Sequence, residues 1–284
     1  FYNITVYSNA SNFDQNTTTN RSTFWIETEP VLFSEKLNSS TSDGNASYDG
    51  GWGETFNWTV NITDEDGDLN TIRLWVKNQS SDEWQFVSPA RTCSNCNNTF
   101  FSNIKNNFAC SQLGIWTWKW NVTEDDVWNA STSDRNFTIE QNDVNFTYMD
   151  GNATTKWRNG TDSVTFSYMP FDRDRELSFG TGGLNGTVWI TPNHFNYSNV
   201  STLSPSSGFF NYTFDPALCS YDVGVEYWKM GTLSSICYKD ANTSAGTVTL
   251  NAPLTTQIRF PNNTVVTEGS TVPISFNSSD ECSV

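Results

Sequence analysis

A strand-like pattern recurs along this chain at a shift of 108 residues, and that recurrence limits the fold more than any other feature. Phe56, Trp58, Val60 and Asp64 fall on Val164, Phe166, Tyr168 and Asp172, then on Val272, Ile274, Phe276 and Asp280. Within each copy apolar residues alternate with polar ones, the period of a strand with one face in a core. Repeats of about 110 residues, built from short alternating stretches between Gly, Asn, Asp and Ser turns, describe a β-sandwich. No long 3.6-residue apolar period competes with that reading. The 20 Phe and 12 Trp supply the apolar bulk such cores need.

The first full copy reads as strands near 31–36, 55–63, 71–77, 84–87, 99–104, 114–122 and 136–140. Seven short strands match an immunoglobulin-like sandwich. The N-terminal Tyr2–Tyr7 and Phe24–Glu27 resemble the closing strands of the first copy, Ile115–Val122 and Phe137–Glu140. Val223–Lys229 and Thr247–Leu250 are a third version. Cys110 and Cys219 each precede this strand by the same interval, which sets Trp116 against Val225. The expected fold is therefore all-β, tandem immunoglobulin-like β-sandwich domains. Residues 1–29 read as the terminal hairpin of an upstream domain, 30–140 and 141–254 as complete domains, and 255–284 as the first strands of another. The joints look short, which predicts a semi-stiff rod.

Asn-x-Ser/Thr acceptors begin at Asn3, Asn9, Asn16, Asn20, Asn38, Asn45, Asn57, Asn61, Asn78, Asn97, Asn121 and Asn129. They continue at Asn136, Asn145, Asn152, Asn159, Asn185, Asn196, Asn199, Asn211, Asn242, Asn262 and Asn277. The chain has 34 Asn and 69 Ser plus Thr. That composition alone would give about 8 acceptors by chance. The excess predicts N-linked glycans and an extracellular, cell-surface location. Asn57, Asn61, Asn121, Asn145 and Asn211 sit between apolar neighbours, on the outward phase of their strands.

The six cysteines suit an oxidising compartment. Cys219 and Cys237 are expected to pair within the second copy, and Cys110 with Cys93 or Cys96. One cysteine is then left for a partner elsewhere, and the partner of Cys282 is expected beyond Val284. For Cys93-Ser-Asn-Cys96, zinc would require two more ligands, and the single histidine, His194, is distant in sequence.

Asp64-Glu-Asp66-Gly-Asp68-Leu-Asn70 invites a calcium reading, since clustered carboxylates suit a hard cation. The EF-hand register fails, because Ile62 takes its first position and Arg73 its twelfth. An Asp/Gly-rich turn with no metal is the preferred reading, and calcium the weaker one. Glu124, Asp125 and Asp126 could suggest a glycosidase pair, but a solvated turn fits better. Trp116, Trp118 and Trp120 alternate and read as core. Trp75 and Trp189 are out of phase and are the candidates for exposed sugar or partner contacts.

A net charge of −16 argues against nucleic-acid binding. No apolar run approaches the length of a membrane span, and nothing amounts to an enzyme. Asp64–Val76 and Gly114–Thr123 resemble the tandem immunoglobulin-like repeats of archaeal surface glycoproteins. That resemblance implies a surface layer, adhesin, stalk or extracellular filament; no cofactor is expected. Outward sequons on both sheets disfavour broad lateral packing, so contact is expected end to end with copies of the chain or further domains. The alternative is an adhesin that binds surface carbohydrate. The second copy departs in its longer, Arg-containing connection after Asp172, so no binding residues carry over.

Overall fold

Why each repeat needs two sheets follows from its strands. In β3 (Phe56–Thr63), Phe56, Trp58, Val60 and Ile62 are buried on one side while Asn57 and Asn61 lie on the other. In β7 (Gly114–Glu124), Trp116, Trp118, Trp120, Val122 and Glu124 share the buried phase. Two such one-sided sheets can hide their aromatic faces only against each other. The computed structural model describes residues 28–39, 49–81, 83–124, 128–158, 162–180, 183–203, 207–216 and 219–282. The hairpin expected at residues 2–27 lies outside them.

The first unit comprises β1 (Val31–Ser39), β2 (Asp49–Gly51), β3, β4 (Leu69–Asn78), β5 (Gln85–Ser94) and β6 (Thr99–Lys105). It continues with β7, β8 (Trp128–Ser131) and β9 (Arg135–Glu140). One sheet has the order β1-β3-β6; the other runs β2-β9-β7-β4-β5, with β8 also pairing β7. Between them lies a core that adds Ile72, Leu74, Val76, Phe108, Phe137 and Ile139 to the strand residues above. The expected strands are all present, and the short β2 and β8 are additions.

The second unit repeats the plan. It has β10 (Val144–Asp150), β11 (Thr154–Trp157), β12 (Val164–Asp172), β13 (Leu177–Ser178) and β14 (Gly186–Ile190). β15 (Ser198–Leu203), β16 (Phe210–Phe214), β17 (Gly224–Thr232), β18 (Ala241–Asn242) and β19 (Gly246–Asn251) complete it. β12 pairs with β10, β13 and β16, while the facing sheet runs β11-β19-β17-β14-β15, with β18 on β17. A separate core collects Phe166, Val188, Ile190, Phe210, Trp228, Met230, Val248 and Leu250. β20 (Leu254–Phe260) and β21 (Ser275–Asp280) then form an antiparallel hairpin. β20–β21 repeats the β1–β3 and β10–β12 pairings.

Each full unit opens with a strand that changes sheets. β10 pairs antiparallel with β12, and β11 pairs parallel with β19. Gly151 makes that crossing with φ 98°, where an added Cβ would sit 2.7 Å from the Thr165 carbonyl. Only glycine takes this conformation without strain.

One strand alignment needs correction. Val225 is 43% exposed, whereas Trp116 is buried. The inward residues of β17 are Glu226, Trp228, Met230 and Thr232, so Trp116 and Val225 lie in opposite phase. The constant interval from the preceding cysteine misleads by one residue.

Candidate functional site

The cysteines do not pair as expected. Cys93 bonds Cys96, Cys110 bonds Cys237, and Cys219 bonds Cys282. Strand length is the reason. Cys219 precedes β17 and Cys237 follows it, and a nine-residue strand is about 30 Å long. A disulfide needs its Cα atoms within about 7 Å. Cys93 likewise pairs across β4 near Glu124, at the far end of β7 from Cys110. No cysteine is left over, so the odd thiol expected among Cys93, Cys96 and Cys110 does not exist. Three disulfides are the chemistry of a secreted or extracellular protein.

Cys110 and Cys219 occupy corresponding places, and each fastens its unit to the next. The joint between the two full units is built around the first of these bonds. Between β9 and β10 lie only Gln141, Asn142 and Asp143. The Asn142 N–H donates to the Cys237 carbonyl, and the Lys239 N–H to the Asn142 carbonyl. The Gln141 amide donates to the Ser235 and Ile236 carbonyls. Trp52, from the first unit, packs against both cores and donates its indole N–H to the Cys237 carbonyl at 2.8 Å. Arg175 lies 3.9 Å over the Trp52 ring, bonds Asp172 at 2.7 Å and reaches the Tyr238 hydroxyl. Lys239 closes the edge with Glu140 and Asp143.

Asp174 is the carboxylate of this joint whose ionised form the surroundings disfavour. Its carboxylate accepts the Asp143 N–H at 2.7 Å. Burial pushes its pKa up to about 6; Asp143 and Asp172 add repulsion, against the lowering effects of that hydrogen bond and Lys239. A folded-state value above the unfolded one means the native state holds the proton more tightly, so stability falls as pH rises from about 4 to about 6. Asp174→Asn should therefore raise the melting temperature at pH 7.5, with the gain vanishing near pH 4. Melting curves of both proteins across this range check it, and a gain independent of pH would contradict the assignment.

At the next joint Arg158, 5% exposed, donates to the Asp280 carboxylate at 2.6 Å and to the Tyr221 carbonyl. Cys282 stands two residues after Asp280, as Asp174 stands after Asp172.

The acidic turn of the first unit lies at the opposite end from Cys110. Gly67 turns the chain with φ 91°, close under Asn95 of the Cys93–Cys96 loop. Asp64, Asp66 and Glu124 bring carboxylate oxygens within 4.8 Å of one another. Glu124 is not in a solvated turn: it is 1% exposed, because it continues the inward phase of the β7 tryptophans. Burial, then repulsion from Asp66 and Asp64, pushes its pKa up to about 7. Burial and the neighbouring Asp66 raise Asp64. Asp66 is held low despite its own burial, by contact with Asp64 and by the Thr28 N–H and hydroxyl that donate to it. Asp125 and Asp126 lie outside the described residues.

Asn57, Asn61, Asn78 and Asn121 are half-buried, and the other described sequon asparagines are exposed. Asn3, Asn9, Asn16, Asn20, Asn45 and Asn159 lie outside the described residues. Asn57 and Asn61 belong to one sheet and Asn121 to the facing one. Trp116, Trp118 and Trp120 are core. Trp75 and Trp189 do point outward but are partly covered, Trp75 by Phe86 and Trp189 by Lys229. The His194 N–H donates to the buried Glu226 carboxylate, which also accepts the Thr191 hydroxyl, and its ring reaches the Val225 carbonyl; these contacts hold the loop after β14. No described helix is long and apolar enough to cross a membrane.

The strand pairings define a chain of tandem immunoglobulin-like β-sandwich domains. In sequence it matches no protein-family model and no curated protein. Among solved structures, fibronectin(III)-like modules of Clostridium thermocellum CbhA align at 8% identity and a TM-score of 0.28, over 76% of this chain and 93% of that one. Red sea bream transglutaminase aligns at 11% identity and a TM-score of 0.33, over 80% of this chain and 32% of the transglutaminase.

Proposed function

We propose that this chain is a structural segment of an extracellular glycoprotein, a building unit of a cell-surface layer, stalk or filament, and not an enzyme. The observation that carries the proposal is the repeated covalent clamp: Cys110 and Cys219, at corresponding positions, each bind the following unit. A hinge that must open for binding or catalysis would not be closed by a disulfide and a hydrogen-bonded linker together. A clamp at successive joints instead transmits orientation along the chain. Sequons on both sheets favour glycans on both faces, which leaves ends and edge strands for contact with copies of the chain.

A carbohydrate-binding adhesin has less support, because Trp75 and Trp189 share their rings with Phe86 and Lys229. Electron microscopy of the glycosylated chain at high concentration tests the structural reading. Stiff rods that join into fibres or sheets are the expected result. Monomers that bend freely at the joints would overturn it.

A further inference from the structure

We infer that Asp64, Asp66 and Glu124, with Asn70, form a calcium site at the end of the first unit where Thr28 lies against Asp66. The inference starts from unmet bonding capacity. Both Glu124 carboxylate oxygens are buried without a hydrogen-bond partner, as are Asp64 Oδ1 and Asn70 Oδ1. Asn70 is 0% exposed, and its side-chain amide N–H donates to Asp64 Oδ2 at 2.7 Å, which fixes it toward the cluster. Buried polar atoms left in this state are costly, and buried carboxylates more so. Among the described residues no lysine or arginine forms an ion pair with Asp64, Asp66 or Glu124.

Geometry suits calcium. Two oxygens bound to one Ca2+ at about 2.4 Å can stand no more than about 4.8 Å apart, and one carboxylate oxygen from each of the three residues lies within that distance of the others. The donors are all oxygen, and Glu124 has both of its oxygens free for bidentate contact. Asp68 adjoins Glu124 and adds further charge to the same turn.

The repeat supplies an internal comparison. In the second unit Asp172 and Asp174 stand where Asp64 and Asp66 do. There, however, the Met230 N–H donates to the Thr243 hydroxyl as the Trp120 N–H does to Thr132, which sets Thr232 on Val122 and the exposed Ser234 on Glu124. Val188 pairs with Met230 as Leu74 pairs with Trp120, so four residues before it the buried, apolar Leu184 replaces Asn70. There the Arg175 guanidinium rests on Asp172. At the third joint Arg158 rests on Asp280. A positive group thus meets the recurring aspartate at two joints. The first has extra acid and amide oxygens instead of an arginine. Calcium there would neutralise the turn and fix Asp66, whose Oδ2 accepts the N–H and hydroxyl of Thr28.

Calorimetric titration of Ca2+ into the whole chain, with magnesium as the comparison ion, tests this. One binding event is expected, with Kd on the order of 10⁻⁴ to 10⁻³ M, together with a rise in melting temperature. Glu124→Gln and Asp66→Asn should each weaken binding by about tenfold or more, the scale on which the charge count of a site tunes calcium affinity. Asp174→Asn should leave it unchanged. Absence of heat and of any melting shift in the unaltered chain up to about 10 mM calcium, well above that Kd range, would overturn the site. So would calcium binding that survives both substitutions.

Discussion

Pulled by its two ends under oxidising conditions, the chain should lengthen far less than its residue count allows. The disulfides overlap in sequence, so tension entering at Cys110 crosses to Cys237, runs back along β17 to Cys219, and crosses again to Cys282. Only the roughly 18 residues between Cys219 and Cys237 carry load over that stretch, and fully extended they span about 60 Å. The rest of the second unit hangs off the force path. Reduction should release some 150 residues, on the order of 500 Å of extra contour length. Replacing Cys110 and Cys237 by serine should release the part before Cys219 alone. Force–extension curves with and without reductant decide the matter, and equal contour lengths would refute the overlapping path. β17 is suited to this role, since it lies between β14 and β19 and is hydrogen-bonded on both sides.

Trp228→Ala should unfold the second unit while leaving the first intact. The indole stacks on Phe166 at 4.1 Å and 6° and meets Tyr168 edge-on. A Cβ on Gly246 would come within 2.5 Å of the same ring, so β19 is shaped around it. Truncating a buried tryptophan removes about 3–5 kcal/mol, a large share of the stability of a domain this size. Hydrogen exchange should show lost protection over 144–250 and retained protection over 56–139. Equal loss in both stretches would mean that the cores melt as one block.

Much of this architecture was legible in the residues, and the exceptions share a cause. The alternation of Phe56, Trp58, Val60 and Ile62 marks its strand wherever it is read, because the period is local. β2 and β11 leave no such trace: a few residues added in parallel to β9 and β19 are placed by the sheet they join. Disulfide pairing depends on which end of a strand each cysteine occupies. The length of β17 between Cys219 and Cys237 is the clue that would have separated them. Glu124 was hidden differently. Asp64, Asp66 and Asp68 cluster in sequence, but Glu124 reaches them only because β4 pairs with β7, Asn70 opposite Glu124. Its inward phase after Trp120 and Val122 was the available signal. Arg175 and Trp52 meet across the joint of two units, a contact that no pattern within one repeat foretells.

The overlapping cysteine bonds also order events in time. In a chain that emerges N-terminus first, Cys93 and Cys96 are three residues apart and can close as soon as both are out. Cys110 must wait as a thiol for Cys237, 127 residues later, and Cys219 must wait for Cys282. Neither joint can be sealed until the following unit has arrived and presented its cysteine. Maturation therefore runs as a relay along the nascent chain: each new unit brings the second thiol of a pair, and an oxidant of the compartment takes up the two electrons as the bond closes.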